Sequence, residues 1–186
     1  GKHVYEFEKK VAKLFNKNYG LMVNSGSSAL MLAMESLNLP KGSEIITPAL
    51  TFSTTVAYIV RNKLIPVFVD VEEGTYCIDI KKIEKLITKK TKAIIVVHYA
   101  GVSCEMDYIL EIADNYNLEV IEDNAHGLFG KYKNKYLGTF GILATQSFHE
   151  TKNFICGEGG ALLINNEEHI ARAEIILEKG TNRSKF

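Results

Sequence analysis

"KAIIVVHY", residues 92–99, decides the architecture. Ala93 to Val97 form an unbroken apolar run that leaves no polar face for solvent. A strand of this kind is buried on both faces, as in a parallel sheet covered by helices. The neighbouring segments keep that rhythm. Upstream, "LIPVFVDV" (64–71) reads as a nearly continuous buried strand and "IDIKKIEKLI" (78–87) as a helix with lysines on its wet face. Downstream, "MDYILEIADNYN" (106–117) is helical in period, and "LEVIEDNA" (118–125) is a strand ending in acids. The same alternation holds further out. "LMVN" (21–24) leads to "SSALMLAMESL" (27–37), and "EIITP" (44–48) leads to "TTVAYIVRN" (54–62). "ILATQSF" (142–148) and "GALLIN" (160–165) are two more strands before the helix "EEHIARAEIILEKG" (167–180) with its glycine stop. The fold class is α/β, a mostly parallel sheet with helices on both faces.

The chain has 186 residues, enough for one domain with a sizeable core. Lys+Arg 22 balances Asp+Glu 22, so no global field recruits nucleic acid or a membrane, and neither is expected as a partner. No apolar run reaches membrane-spanning length, and "GKHVYEFEKK" has no signal-peptide core. Cys77, Cys104 and Cys156 are scattered, as in a cytoplasmic protein with reduced thiols. His3, His98 and His169 lack metal-ligand spacing, and no metal is expected. A helical face (Val4, Phe7, Val11, Leu14, Phe15) begins almost at the first residue, which points to a missing beginning.

Ligands of such sheets sit beyond the carboxyl ends of the strands. Asn24–Ser25, His98–Tyr99, Asp123–Asn124 and Ser147–Phe148 fall at those ends. "NSGSSAL" (24–30) turns from strand to helix, and reads either as a serine-capped helix or as a phosphate cradle using Ser27 and Ser28. It is neither GxGxxG nor GxxxxGK[ST], which weakens a nucleotide-fold reading. Asp123 is either a turn cap or a buried acid paired with a cation, such as the protonated nitrogen of a pyridine cofactor. Lys152 in "SFHETKN" (147–153) is, taken alone, a surface lysine. Cradle, acid and amine on one sheet edge together describe a site for pyridoxal 5′-phosphate (PLP).

"NSGSSAL", "TPALTFSTT" (47–55), "VHYAG" (97–101), "EDNAHG" (122–127) and "SFHETKN…GEGGALLIN" are similar to the DegT/StrS family of PLP-dependent nucleotide-sugar aminotransferases, from about Val4 to Phe186. That resemblance implies the large domain of a type I, aspartate aminotransferase-like PLP transferase over residues 1–186, without the family's N-terminal segment and smaller C-terminal domain. It implies that Lys152 binds PLP covalently and that Asp123 faces the pyridinium nitrogen. Ser27, Ser28 and Ser147 correspond to phosphate ligands, Phe52 to the aromatic on the cofactor ring and His126 to the residue on its other face. Read without the family, Phe52 is an ordinary core aromatic and His126 a satisfied histidine. His149 reads as structural or substrate-positioning, and Arg183 as a solvated charge or a contact to a nucleotide phosphate.

The implied reaction moves an amino group from glutamate, leaving 2-oxoglutarate, to a 4-keto-6-deoxy nucleotide sugar. The expected acceptor is dTDP-4-keto-6-deoxy-glucose, and the product a 4-amino-4,6-dideoxy-galactose used in cell-surface polysaccharide. A homodimer is implied, its active sites completed by the second subunit, so this segment alone is expected to be poorly active. Two rivals remain: a non-catalytic, regulatory PLP-binding protein, and sugar 3-dehydration, whose enzymes in this family carry histidine at the lysine position.

Overall fold

The structure is a computed structural model and describes residues 1–181. The chain runs α1 (Lys2–Leu14), β1 (Tyr19–Val23), α2 (Gly26–Leu37), β2 (Glu44–Pro48), α3 (Ser53–Arg61) and β3 (Ile65–Val69). It continues through β4 (Thr91–Val97), α4 (Met106–Tyr116), β5 (Glu119–Asp123) and a small hairpin of β6 (Lys131–Tyr132) and β7 (Lys135–Tyr136). β8 (Leu143–Ser147), β9 (Gly160–Ile164) and α5 (Glu167–Leu177) complete the described elements.

Seven strands form one sheet in the order β1-β9-β8-β5-β4-β2-β3. β9 is antiparallel to both neighbours, and the remaining pairings are parallel. β4 lies inside the sheet, as its apolar run requires. Ala93 and Ile95 pack with α2 and α3 residues such as Leu32 and Ile59 on one face. Ile94 and Val96 pack with Met106 and Ile109 of α4 on the other. Successive side chains of a strand point to opposite faces, so one run feeds two cores.

Two segments differ from expectation. Residues 78–87 form two short 3₁₀ turns, Ile80–Lys82 and Glu84–Leu86, instead of one helix. Ile78 is committed to a bridge with Val71, and the Asp79 side chain accepts the Lys81 N–H at 3.1 Å. Too few residues are left for a helix to repay its nucleation cost. β3, read as a buried strand, is the sheet's edge, with Ile65 44% and Phe68 51% exposed. Pro66 explains this, because a residue without an N–H belongs on an edge.

The sheet register gathers the strand ends. Gly160 of β9 faces Val23 on one side and Ser147 on the other, while Asp123 faces Thr145 and Val97. On the opposite face from Asp123, Glu122 is fully buried. It accepts the N–H groups of Gly138, Phe140 and Gly141 at 2.7, 2.7 and 2.6 Å. His98 Nε2 lies 3.0 Å away, and His98 Nδ1 accepts the Cys104 N–H at 3.3 Å, so Nε2 carries the proton and donates. Lys17 reaches the Gly141 carbonyl beside them. Burial disfavours the Glu122 charge, but His98, Lys17 and the backbone N–H groups outweigh it and hold the carboxyl below its ordinary range. Glu122→Ala would strand these donors and is expected to cost about 3–5 kcal/mol in urea unfolding. A loss below about 1 kcal/mol would show that the network does not hold the loop. A depressed carboxyl stabilises the fold above the ordinary glutamate range and stops doing so as pH falls. The parent's urea midpoint should therefore drop on acidification more than the variant's.

Candidate active site

A cavity of about 280 Å³ opens at the carboxyl edge of the sheet. Six of the seven expected residues line it: Ser27, Phe52, Asp123, His126, Ser147 and Lys152. Ser28 is not among the lining residues, because its hydroxyl donates to Asn24 Oδ1 at 2.6 Å and lies 3.1 Å from Ser25 Oγ.

The α2 end is built by Ser25, an extended N-cap whose Oγ accepts the Ser28 N–H at 3.1 Å. By helix geometry the amides of Gly26 and Ser27 have no intrahelical acceptor. They sit at the positive end of α2, a setting suited to an anion. Two glycines let the strands press against this end. A Cβ on Gly26 would lie 2.8 Å from Ser147 Cβ, and one on Gly160 would lie 2.3 Å from the Ser25 carbonyl oxygen.

Across the cavity, Asp123 ends β5 and is only 4% exposed. Its Oδ2 accepts the Thr55 hydroxyl at 2.8 Å and its Oδ1 the Ala125 N–H at 3.3 Å. Burial pushes this carboxyl above its ordinary range, against the pull of Thr55, Ala125, His126 and His98. A cation brought to it would relieve the cost of burying the charge. Phe52 is the N-cap residue of α3 and 70% exposed, so it is a cavity wall and not a core aromatic. His126 Nδ1 accepts the N–H of Ala100, which adopts φ 51°. Burial, then the nearby Lys152 ammonium, push the imidazole below its usual range, with Asp123 opposing. His126 is thereby kept neutral at physiological pH.

Lys152 sits on the turn joining β8 to β9. The base of this turn is closed by Phe148 N–H to Gly159 O at 2.8 Å and Cys156 N–H to Phe148 O at 2.9 Å. The Lys152 N–H donates to the His149 carbonyl at 2.9 Å. His149 Nδ1 accepts the Thr151 N–H at 3.2 Å, which leaves the proton on Nε2, 3.4 Å from Glu158 Oε1. His149 thus braces the turn that presents Lys152.

Ser25 and Gly26 stood in the expected cradle without a role of their own, and Thr54 and Thr55 were not singled out from the sequence. The paired threonines of "TFSTT" were visible, but nothing local to them signals a partner on β5. Arg183 lies outside the described residues. His98 and His169 are buried in hydrogen bonds, to Glu122 and to the Ser36 carbonyl. Among the described residues no group of three His, Cys, Asp or Glu could hold a metal ion, and no helix is long and apolar enough to cross a membrane.

A family model, the DegT/DnrJ/EryC1/StrS aminotransferase family, matches residues 1–186. The spore coat polysaccharide biosynthesis protein SpsC of Bacillus subtilis (strain 168) is 39% identical over 186 residues, 100% of this chain and 48% of that protein. The GDP-perosamine synthase of Escherichia coli O157:H7 is 41% identical over 167 residues, 90% of this chain and 46% of that protein. Among solved structures, a GDP-4-keto-6-deoxymannose-3-dehydratase with a trapped PLP–glutamate geminal diamine superposes with a TM-score of 0.95. It is 34% identical, and the match covers 99% of this chain and 49% of that one. The chain thus spans about half the length of the curated relatives it matches. Agreement with the family model across residues 1–186, with relatives at these identities, means that the chain belongs to the DegT/DnrJ/EryC1/StrS aminotransferase family.

Proposed function

We propose that residues 1–186 are the PLP-binding large domain of an aminotransferase that passes the amino group of glutamate to a 4-keto-6-deoxy nucleotide sugar. The acceptor of this reading is dTDP-4-keto-6-deoxy-glucose, and the amino sugar product enters cell-surface polysaccharide. The observation that carries it is the meeting of three groups at one cavity: the α2 N-terminus, buried Asp123 and Lys152. Their chemistry suits the three functional ends of PLP. The amides of Gly26 and Ser27, with the Ser27 and Ser147 hydroxyls, suit its phosphate, Asp123 suits its ring nitrogen and Lys152 its aldehyde.

PLP, when bound, supplies an electron sink for the bonding pair of the donor's Cα–H. The chain's own residues do the rest. Lys152 would take the Cα proton as a base, hold it, and give it up as an acid on the cofactor side as the amino group is passed on. Asp123 would keep the ring nitrogen protonated, and Phe52 and His126 would wall the ring. The functional unit is a homodimer working in the cytoplasm. Exposed Phe52, together with Phe154 and Ile155 on the Lys152 turn, fits a surface covered by the second subunit.

Sugar 3-dehydration on the same scaffold is the second reading, supported by the likeness to a 3-dehydratase. Retention of lysine at position 152 favours amino transfer. The deciding experiment treats the full-length protein with PLP and borohydride, followed by peptide mapping. The label is expected on Lys152. A label on another lysine, with Lys152 unmodified, would overturn the assignment.

A further inference from the structure

We infer that the first turn of α3 is the gauge that sets the two ends of the cavity relative to each other, with Thr55 as the positioning residue for Asp123. The inference rests on the PLP reading above, and its geometry is independent of it. An ionised carboxylate only accepts hydrogen bonds, so the Thr55 hydroxyl commits its single proton to Asp123 Oδ2 at 2.8 Å. The Thr55 oxygen then accepts from the Thr51 hydroxyl at 2.9 Å. Thr51, Thr55 and Asp123 form a one-way chain of donors that ends on the carboxylate, each link polarising the next. Thr55 is fully buried, and it lies in the first turn of α3, where the helix's positive end adds to the effect.

The neighbouring residue completes the gauge. Thr54 Oγ1 accepts the Ser27 hydroxyl at 3.3 Å, joining the same helical turn to the N-terminus of α2. Phe52, the N-cap residue of that turn, is the exposed aromatic wall. Residues 52–55 therefore touch the anion end, the acid end and the flat wall of one cavity. A threonine serving only to pack α3 against the sheet would need its methyl group and not its hydroxyl. That difference is testable by an isosteric change.

The test compares the full-length parent with Thr55→Val and Thr55→Ser. In ligand-free protein, the Asp123 carboxyl is followed against pH by carbon-13 NMR. The other titrating groups that act on it, His126 and His98, are the same in all three proteins. PLP affinity is measured by direct titration. Thr55→Val is expected to move the Asp123 titration upward and to weaken PLP binding about tenfold, while Thr55→Ser stays near the parent. An unmoved Asp123 titration in a folded Thr55→Val protein would overturn the inference. Where that variant fails to fold, Thr51→Val carries the test. It removes only the donor to Thr55, so a smaller upward shift supports the chain and no shift overturns it. If the parent itself takes no PLP on Lys152, the cofactor reading falls, and the ligand-free titration still decides the role of Thr55.

Discussion

Lys152→Ala in the full-length protein is expected to lower amino transfer by about 10⁴-fold, the upper end of what one positioned acid–base contributes. The reason is the lack of a substitute. Among the described residues Lys152 is the only lysine lining the cavity, and the two lining imidazoles are committed elsewhere. His126 Nδ1 holds the Ala100 N–H, while His149 is engaged by Thr151 on one nitrogen and faces Glu158 with the other. Stability should barely change, because Lys152 is a half-buried side chain on a turn held by backbone hydrogen bonds. Turnover with glutamate and keto-sugar, and the urea midpoint, are the measurements. A variant within tenfold of the parent would remove Lys152 from the chemistry, and partial rescue by added methylamine would confirm that an amine is what was lost.

Asp123→Asn is expected to cut turnover by about 10²–10³-fold, as when one preorganised electrostatic partner is withdrawn. An amide cannot neutralise a pyridinium, so the ring becomes a poorer electron sink. The same change should act oppositely on stability. Burial raises the Asp123 carboxyl in the folded, ligand-free protein. A raised carboxyl contributes fully below its unfolded value, and that contribution is lost as pH rises through the folded value. At neutral pH the ligand-free fold therefore bears a penalty that asparagine does not. The variant should unfold at equal or higher urea concentration than the parent near pH 7, with the difference vanishing in acid. A variant with near-parent turnover would reduce Asp123 to a turn cap.

Much of this was legible in the sequence because buried parallel strands advertise themselves. Ala93 to Val97 have no wet face, and Asp123 and Ser147 end the strands β5 and β8, with Lys152 on the turn after β8. Local patterns could not reveal what depends on lateral neighbours. β3 has the composition of a core strand, and only the meaning of Pro66 betrays the edge. The antiparallel direction of β9 depends on the turn that carries Lys152, which no periodicity encodes. Thr55 finds Asp123 across 68 positions of sequence, and its role is a fact of packing between α3 and β5. Ser28 failed to line the cavity for a similar reason, since Asn24 and Ser25 capture its hydroxyl first.

The pairing of β1 with β9 also has a consequence during synthesis on the ribosome. Among the described residues β1 lies at the margin of the sheet, with β9 as its strand partner. Gly160, opposite Val23, emerges about 140 residues later, a wait of about 7–28 s at about 5–20 residues per second. Until then β1 lacks the strand it pairs with, and the Ser25–Gly26 corner lacks the glycine that packs against it. The Ser25–Gly26 corner is therefore completed late, well after β1 and α2 themselves have been made. A nascent chain stalled before Gly160 should expose β1 to protease and should not retain phosphate-bearing ligands, whatever helices it has already formed.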